Sequence, residues 1–394
     1  MFTGQFVISS GRMSYEMKLF FYEVRKILSW KLLLLILLVN VLLFKLLIEF
    51  DLKYFPNGRP AGDHFDIEQQ IIPLFGAEWD ETELLELQAM YEKEMSDADA
   101  YLAKDPEAVA LSMDSYEKFK NYDYVNEQQE AYHNKIVFDS DEDFPWRLQT
   151  YDWYLTQRQY REDAIIAYMN YASEGQKKRL QQLLDEERFA VYSEVVPSNF
   201  KTYKTSIAIA IFVSIAILIS PIFIRDKIAN VVPLQYSSAK GRKLYRTKWL
   251  AGLFSGTLLT AILLLFYMAL YGTNDTKSHF DLPLTSFSWN YYWYDITFWQ
   301  YIILSVTVIF ALSVVLTILI MAISSVVPNR IVLIGVQIVV LFVMIAVGTT
   351  YVVRNVIDLN YAQLFVPSLV GGFTLFTGLF MWAVWKRELK RDIV

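Results

Sequence analysis

The sequence predicts an all-α polytopic membrane protein, with six transmembrane helices plus a mainly helical extracellular domain between spans one and two. Three observations predict it. Apolar residues make up 54% of the 394-residue chain while charged residues still reach 20%, so the two kinds must occupy different places. Six long apolar segments each reach the roughly 20 residues that a helix needs to cross a hydrocarbon core about 30 Å thick. Between Asp51 and Tyr203, 32 Asp and Glu stand against 15 Lys and Arg, so one acidic block interrupts an otherwise basic, apolar chain.

The apolar segments run from Trp30 to Phe50, Thr205 to Ile224, Trp249 to Tyr271, Thr297 to Ile323, Ile331 to Val353 and Gln363 to Trp385. The second, third and fourth carry no ionisable residue. The first carries Lys45 and Glu49 one turn from its end, a spacing that suits snorkelling and a local ion pair. That span is too long for the apolar core of a signal peptide, and no small-residue cleavage site follows it, so it is expected to stay attached.

Orientation follows from the short flanks, because Lys and Arg accumulate on the cytoplasmic side. Sixteen basic residues fall in the N-terminal flank, the loop after the second span, the loop before the fifth and the C-terminal tail. The short loops opposite hold Lys277 and Arg354. Both termini are therefore expected in the cytoplasm of a multi-pass cell-membrane protein, with the acidic block outside. The expected divisions are 1–29, an N-terminal segment; 30–50, the first span; 51–203, the acidic domain; 204–224, the second span; 225–248, a cytoplasmic loop; 249–385, spans three to six; and 386–394, a basic tail.

From Ser14 to Trp30, Met17, Phe20, Phe21, Val24 and Leu28 recur at helical spacing against Lys18, Glu23, Arg25 and Lys26. Such a helix either lies along the cytoplasmic interface or simply extends the first span. In the acidic block, Leu84, Leu87, Tyr91 and Met95 make one helical stripe and Leu180, Leu183 and Leu184 another. The Tyr-rich stretch around Pro145 between them reads as connecting turns. Sparse glycine and few alternating runs favour a helical bundle over a sandwich. The cluster Phe287, Trp289, Tyr291, Tyr292, Trp293, Tyr294, Phe298 and Trp299 reads as an aromatic belt at the outer interface, with a substrate-stacking surface as the alternative.

Several chemistries have no residues to carry them. With no cysteine, there is no disulfide, thiolate metal site or cysteine nucleophile. No segment matches the phosphate-cradling GxxxxGK[ST] loop, so the chain is not expected to bind ATP by itself. His64, His133 and His279 all lie outside the spans and form no HExxH pair, and no enzyme activity or metal is expected. Polar midplane residues such as Asn40 and Gln337 suit helix packing better than an ion path. The energy for any transport must then come from another chain, and the bilayer, not nucleic acid, is the expected surroundings.

The most informative stretch is the loop from Arg225 to Lys248. It holds a short apolar patch, Val231 to Leu234, then small hydroxyl residues, then a basic turn in which glycine permits a positive φ before the chain re-enters the membrane. Basic residues alone would mark the cytoplasmic side, but they leave the apolar patch unexplained. Pro233-Leu234, Ser237-Ser238, Lys240-Gly241-Arg242 and Lys248 together resemble the corresponding loop of ABC transporter permeases of the type-2 export family. The resemblance extends to Ser324-Ser325-Val326-Val327-Pro328-Asn329-Arg330 and to the six-span layout with an insertion after the first span. The large external domain departs from the shorter loops of many members.

The resemblance implies a permease that pairs with a second copy, or a related permease, and binds two copies of a separate cytoplasmic ABC ATPase, which holds the ATP and magnesium. It implies that Val232, Leu234, Ser237, Ser238, Lys240, Gly241 and Arg242 contact that ATPase. Amphipathic peptides, antibiotics and lipids are the implied substrate classes. Gly252 and Gly256 at GxxxG spacing would allow close helix contact in the third span. A membrane sensor with a ligand-binding external domain is the competing reading, although no cytoplasmic segment is long enough for a signalling domain.

Overall fold

The computed structural model describes residues 4–237, 241, 243–288 and 290–390. Among the described residues the regular structure is helical, with no strand and three isolated bridge pairs. Six helices among the described residues are long and apolar enough to cross a membrane: Trp30–Lys53, Val195–Ile228, Lys243–Asn274, Phe298–Val326, Arg330–Val353 and Phe365–Lys390. The chain is a multi-pass membrane protein. Even the 24-residue spans reach about 36 Å at 1.5 Å per residue, enough for the apolar core.

The second span is the centre of the bundle. In its most apolar window 72% of residues are buried, against 17%, 22% and 11% in the first, fifth and sixth. Those three present apolar faces outward, where lipid or another chain must cover them. Gly252 and Gly256 lie on the third span where it meets its neighbours. A Cβ at Gly256 would fall 2.7 Å from Thr317 Cγ2, a close approach of the third and fourth spans, while one at Gly252 would meet the movable side-chain ends of Ile222 and Met321. Asn40 binds three spans together. Its Nδ2 donates to Ser214 Oγ at 2.7 Å and its Oδ1 accepts from Tyr267 Oη at 2.8 Å.

The helix carrying the second span begins at Val195, which draws Lys204 into the bundle. Lys204 is wholly buried, and its Nζ donates to Tyr301 Oη at 2.6 Å and Ser305 Oγ at 3.1 Å. It also stands 4.0 Å from the Tyr301 ring centroid. The hydropathy pattern hides this lysine because a single charge falls at the edge of an apolar run.

Between the first two spans a domain of helices sits on one end of the bundle. Its long members are Ala61–Phe75, Glu81–Leu102 and Phe144–Met169, with Glu174–Asp185 beside them. Asp80 opens the second of these with a reciprocal cap involving Glu83. The expected turns around Pro145 are instead the start of the 26-residue helix Phe144–Met169. Proline in the first turn forfeits no helical hydrogen bond, and its fixed φ suits a helix start. A distal core forms around Leu102, Phe119, Tyr132 and Leu148, while Leu87 and Tyr154 belong to the core shared with the bundle.

Glu68 joins this domain to the loop between the third and fourth spans. Fully buried, it accepts from Tyr154 Oη at 2.8 Å and Ser193 N at 2.6 Å, and meets His279 Nε2 at 3.0 Å. The aromatic cluster turns inward at the same joint, contrary to the belt expected from sequence. Phe287, Tyr292 and Phe298 are buried, and Tyr291 and Trp293 pack on Leu180 and Leu183. Tyr294 and Trp299 are about half exposed, and Trp289 lies outside the described residues. Rings concentrated here fill the seam between domain and bundle, because each buries a large apolar body and tyrosine and tryptophan also carry a polar edge that can find a backbone partner. Trp293 Nε1, for example, donates to Tyr361 O at 2.9 Å.

Two domain histidines give the fold a pH dependence. Burial holds the imidazoles of His64 and His133 below the usual histidine range. Their neutral forms fit the folded state, so their contribution is complete above the unfolded value of about 6.5 and is lost as pH falls through it. Asp63 and Glu194, raised by burial, act in the opposite sense at more acidic pH. Thermal unfolding followed between about pH 7.5 and 5.5 should show falling stability, with a shallower slope in a variant carrying His64→Gln and His133→Gln. An unchanged slope in that variant would rule out these two groups.

Candidate functional site

The segments 225–237 and 324–330 meet at the end of the bundle opposite the large domain. The meeting is built on a break in the second span at Ser220-Pro221. Proline cannot donate to the preceding turn, so the helix frees a carbonyl there. Ser324 braces the break from the fourth span: its Oγ donates to Ser220 O at 2.8 Å and accepts from Phe223 N at 3.4 Å. The helix continues as Pro221–Ile228 and carries Arg225, Asp226 and Lys227 into the seam. Lys227 donates to the carbonyls of Ser325 and Val327, the latter at 3.1 Å, and so fixes the loop between the fourth and fifth spans.

Asp226 is the hub. It is 4% exposed and takes ion pairs from Lys26, at 2.5 Å, and from Lys248. Gln235 Nε2 donates to the same carboxylate at 3.1 Å, and Gln235 Oε1 accepts from Lys248 at 3.1 Å. Glu23, also 4% exposed and one turn before Lys26, interacts electrostatically with Lys248. Two buried acids thus face two lysines, which is how a charge cluster becomes tolerable in a closed seam.

Four segments are fastened by these contacts. The N-terminal helix Gly4–Ile27 stops before Trp30 at a break spanning Leu28 and Ser29, so it is a separate helix from the first span. It packs on the third span, with Phe20 edge-on to Phe254 at 5.6 Å. Phe20, Val24 and Leu28 of its apolar stripe are packed, while Met17 and Phe21 are exposed. The second fastened segment is the short helix Val232–Ser237. Tyr236 on that helix bonds Glu388 at the end of the sixth span.

Val232, Gln235 and Tyr236 turn toward the seam, whereas Pro233, Leu234 and Ser237 turn outward. Leu234 is 71% exposed. The outward apolar surface of this helix is therefore Leu234 with Pro233, and Val232 belongs to the mount beneath it. Gly241 has φ +49°, the left-handed conformation expected of a turn ahead of the helix Lys243–Tyr271. Ser238, Lys240 and Arg242 lie outside the described residues.

Comparison with known protein families, with curated proteins and with solved structures returns no match. The functional argument therefore rests on this geometry and on the loop residues themselves. Asp226, Gln235 and Glu388 carry no motif that sequence reasoning singled out. One signal was available: Asp226 is the sole acid among seven basic residues between Arg225 and Lys248. Among the described residues no cluster of three or more His, Cys, Asp or Glu is arranged to hold a metal ion.

Proposed function

We propose that the chain is the membrane-spanning permease of an ATP-driven exporter, working with a second permease copy or a related one. A separate cytoplasmic ATPase binds the helix Val232–Ser237 and supplies the ATP chemistry. Both termini are cytoplasmic in this reading, and the large acidic domain lies outside the cell. The observation that carries it is the mounting of Leu234. An exposed leucine stands on a short helix that is pinned through Asp226 to the N-terminal helix and to the second and third spans. A partner that gripped Leu234 and moved would therefore move several segments together.

Burying Leu234 fully against such a partner contributes about 1.5–3 kcal/mol, more than the 0–1 kcal/mol of an exposed ion pair. Leu234→Asp should strongly reduce copurification of the ATPase and ATP-driven efflux from membrane vesicles. Lys243→Ala, an exposed charge at the start of the third span, should change either little. Wild-type copurification and efflux with Leu234→Asp would remove this helix from the coupling role.

A further inference from the structure

A cleft of about 710 Å³ opens between the first, second and fifth spans at the same end of the bundle. Its walls are aliphatic, from Leu35 of the first span, Ile217 of the second and Ile338 of the fifth. Three polar features interrupt them. Arg225 and Arg330 stand at the mouth, and Gln337 lies deeper. The bond from Ser220 Oγ to Gln337 Oε1, 2.7 Å, sets the register of the two helices. From that level Arg225 is five residues along one helix and Arg330 seven residues back along the other. Both arginines therefore leave the backbone about 7–11 Å nearer the same membrane surface.

Gln337 is 7% exposed, yet its Nε2 has no hydrogen-bond partner. A buried donor left open costs stability unless something accepts from it. Among the described residues neither arginine has a carboxylate partner; Arg225 gives one nitrogen to Lys26 O at 3.3 Å and keeps its other donors. The cleft runs from Arg330 to Leu341, about 16 Å along the helix, of which about 10 Å separates Arg330 from Gln337 and about 6 Å of aliphatic wall lies beyond.

We infer that this cleft binds an anionic acyl amphiphile: a phosphate head between Arg225 and Arg330, an acyl carbonyl on Gln337 Nε2, and the chain along the aliphatic walls. Guanidinium matches phosphate bidentately, and the carboxamide donor matches an ester oxygen. The inference deepens the exporter reading by naming its substrate class. Binding itself needs no ATPase.

The test uses the purified full chain in a neutral detergent with three probes. These are a lysophosphatidic acid, the monoacylglycerol that lacks its phosphate, and glycerol 3-phosphate, which lacks its chain. The lysophosphatidic acid should bind best. Arg225→Gln and Arg330→Gln should each weaken it about tenfold, the loss of a charge-assisted hydrogen bond, and Gln337→Leu roughly three- to tenfold. Arg354→Gln, at the other end of the bundle, should leave it unchanged. An ether-linked analogue without the carbonyl should bind wild type and Gln337→Leu alike.

Equal binding of monoacylglycerol, or of glycerol 3-phosphate, would overturn recognition of the whole amphiphile. Indifference to all three cleft substitutions would overturn the site. A cysteine introduced at Ile338 is unique in this cysteine-free chain. Cross-linking of two copies through it that excluded the amphiphile would assign the cleft to a second copy instead. Wild-type chain that bound the probe but copurified no ATPase would count against the exporter reading alone, and wild-type chain that copurified an ATPase but bound no probe would count against this inference alone.

Discussion

Asp226→Asn should be among the most damaging substitutions in the chain, although it changes one oxygen for one nitrogen. The carboxylate holds Lys26 and Lys248, and its own side chain is about 5% exposed. Asparagine keeps the shape and removes the charge, so two lysines would remain in the seam with Glu23 as their remaining nearby acid. Removing one partner of a buried ion pair costs about 3–5 kcal/mol, because the uncompensated charge stays behind. Thermal unfolding in detergent should shift down clearly, and copurification of the proposed ATPase should fall because Gln235 and Lys248 no longer share a carboxylate. Adding Lys248→Met should recover part of the stability, since replacing a buried pair by apolar residues is often neutral. It should recover little copurification, because the mount of Val232–Ser237 would still be missing. If Asp226→Asn unfolded like wild type, the cluster would not hold the seam.

What the sequence disclosed and what it withheld follow from the range of the interactions. Spans are legible because each is a contiguous run whose apolarity a local reading can sum. The Lys45–Glu49 pair, 2.5 Å in the structure, is legible for the same reason: both partners share one helix turn. Gly241 is legible because a left-handed turn favours glycine. Asp226 is different. Its partners lie 200 residues before it and 22 after it, and nothing local says that Lys26 and Lys248 will converge. The same limit misled the reading of the aromatic loop. Rings after an apolar span suit a membrane interface and a domain seam equally, and only the position of Leu180 and Leu183 decides between them. Pro145 fails for a third reason, since proline marks both a turn and the first turn of a helix.

Glu68→Leu should damage the opposite end of the molecule as severely as Asp226→Asn damages its own. Glu68 and His279 are both fully buried, and Ser193 N and Tyr154 Oη point at the same carboxylate. Leucine fits the volume but accepts nothing, so a backbone N–H, a phenol and an imidazole would lose their partner together. The expected loss is about 3–5 kcal/mol. Tyr154→Phe deletes one of those donors and its shared bond, and should cost about 0.5–1.5 kcal/mol. The damage should also be local. Helix Ala61–Phe75 carries Glu68, and His279 follows directly on the third span, so their separation should free the loop from Asp275 to Thr297 before the spans come apart. Limited proteolysis should therefore cut Glu68→Leu within that loop at temperatures where the wild-type loop is intact and the Asp226→Asn loop is still protected. If Glu68→Leu were no less stable than Tyr154→Phe, or were cut first elsewhere, Glu68 would not be what holds the domain on the bundle.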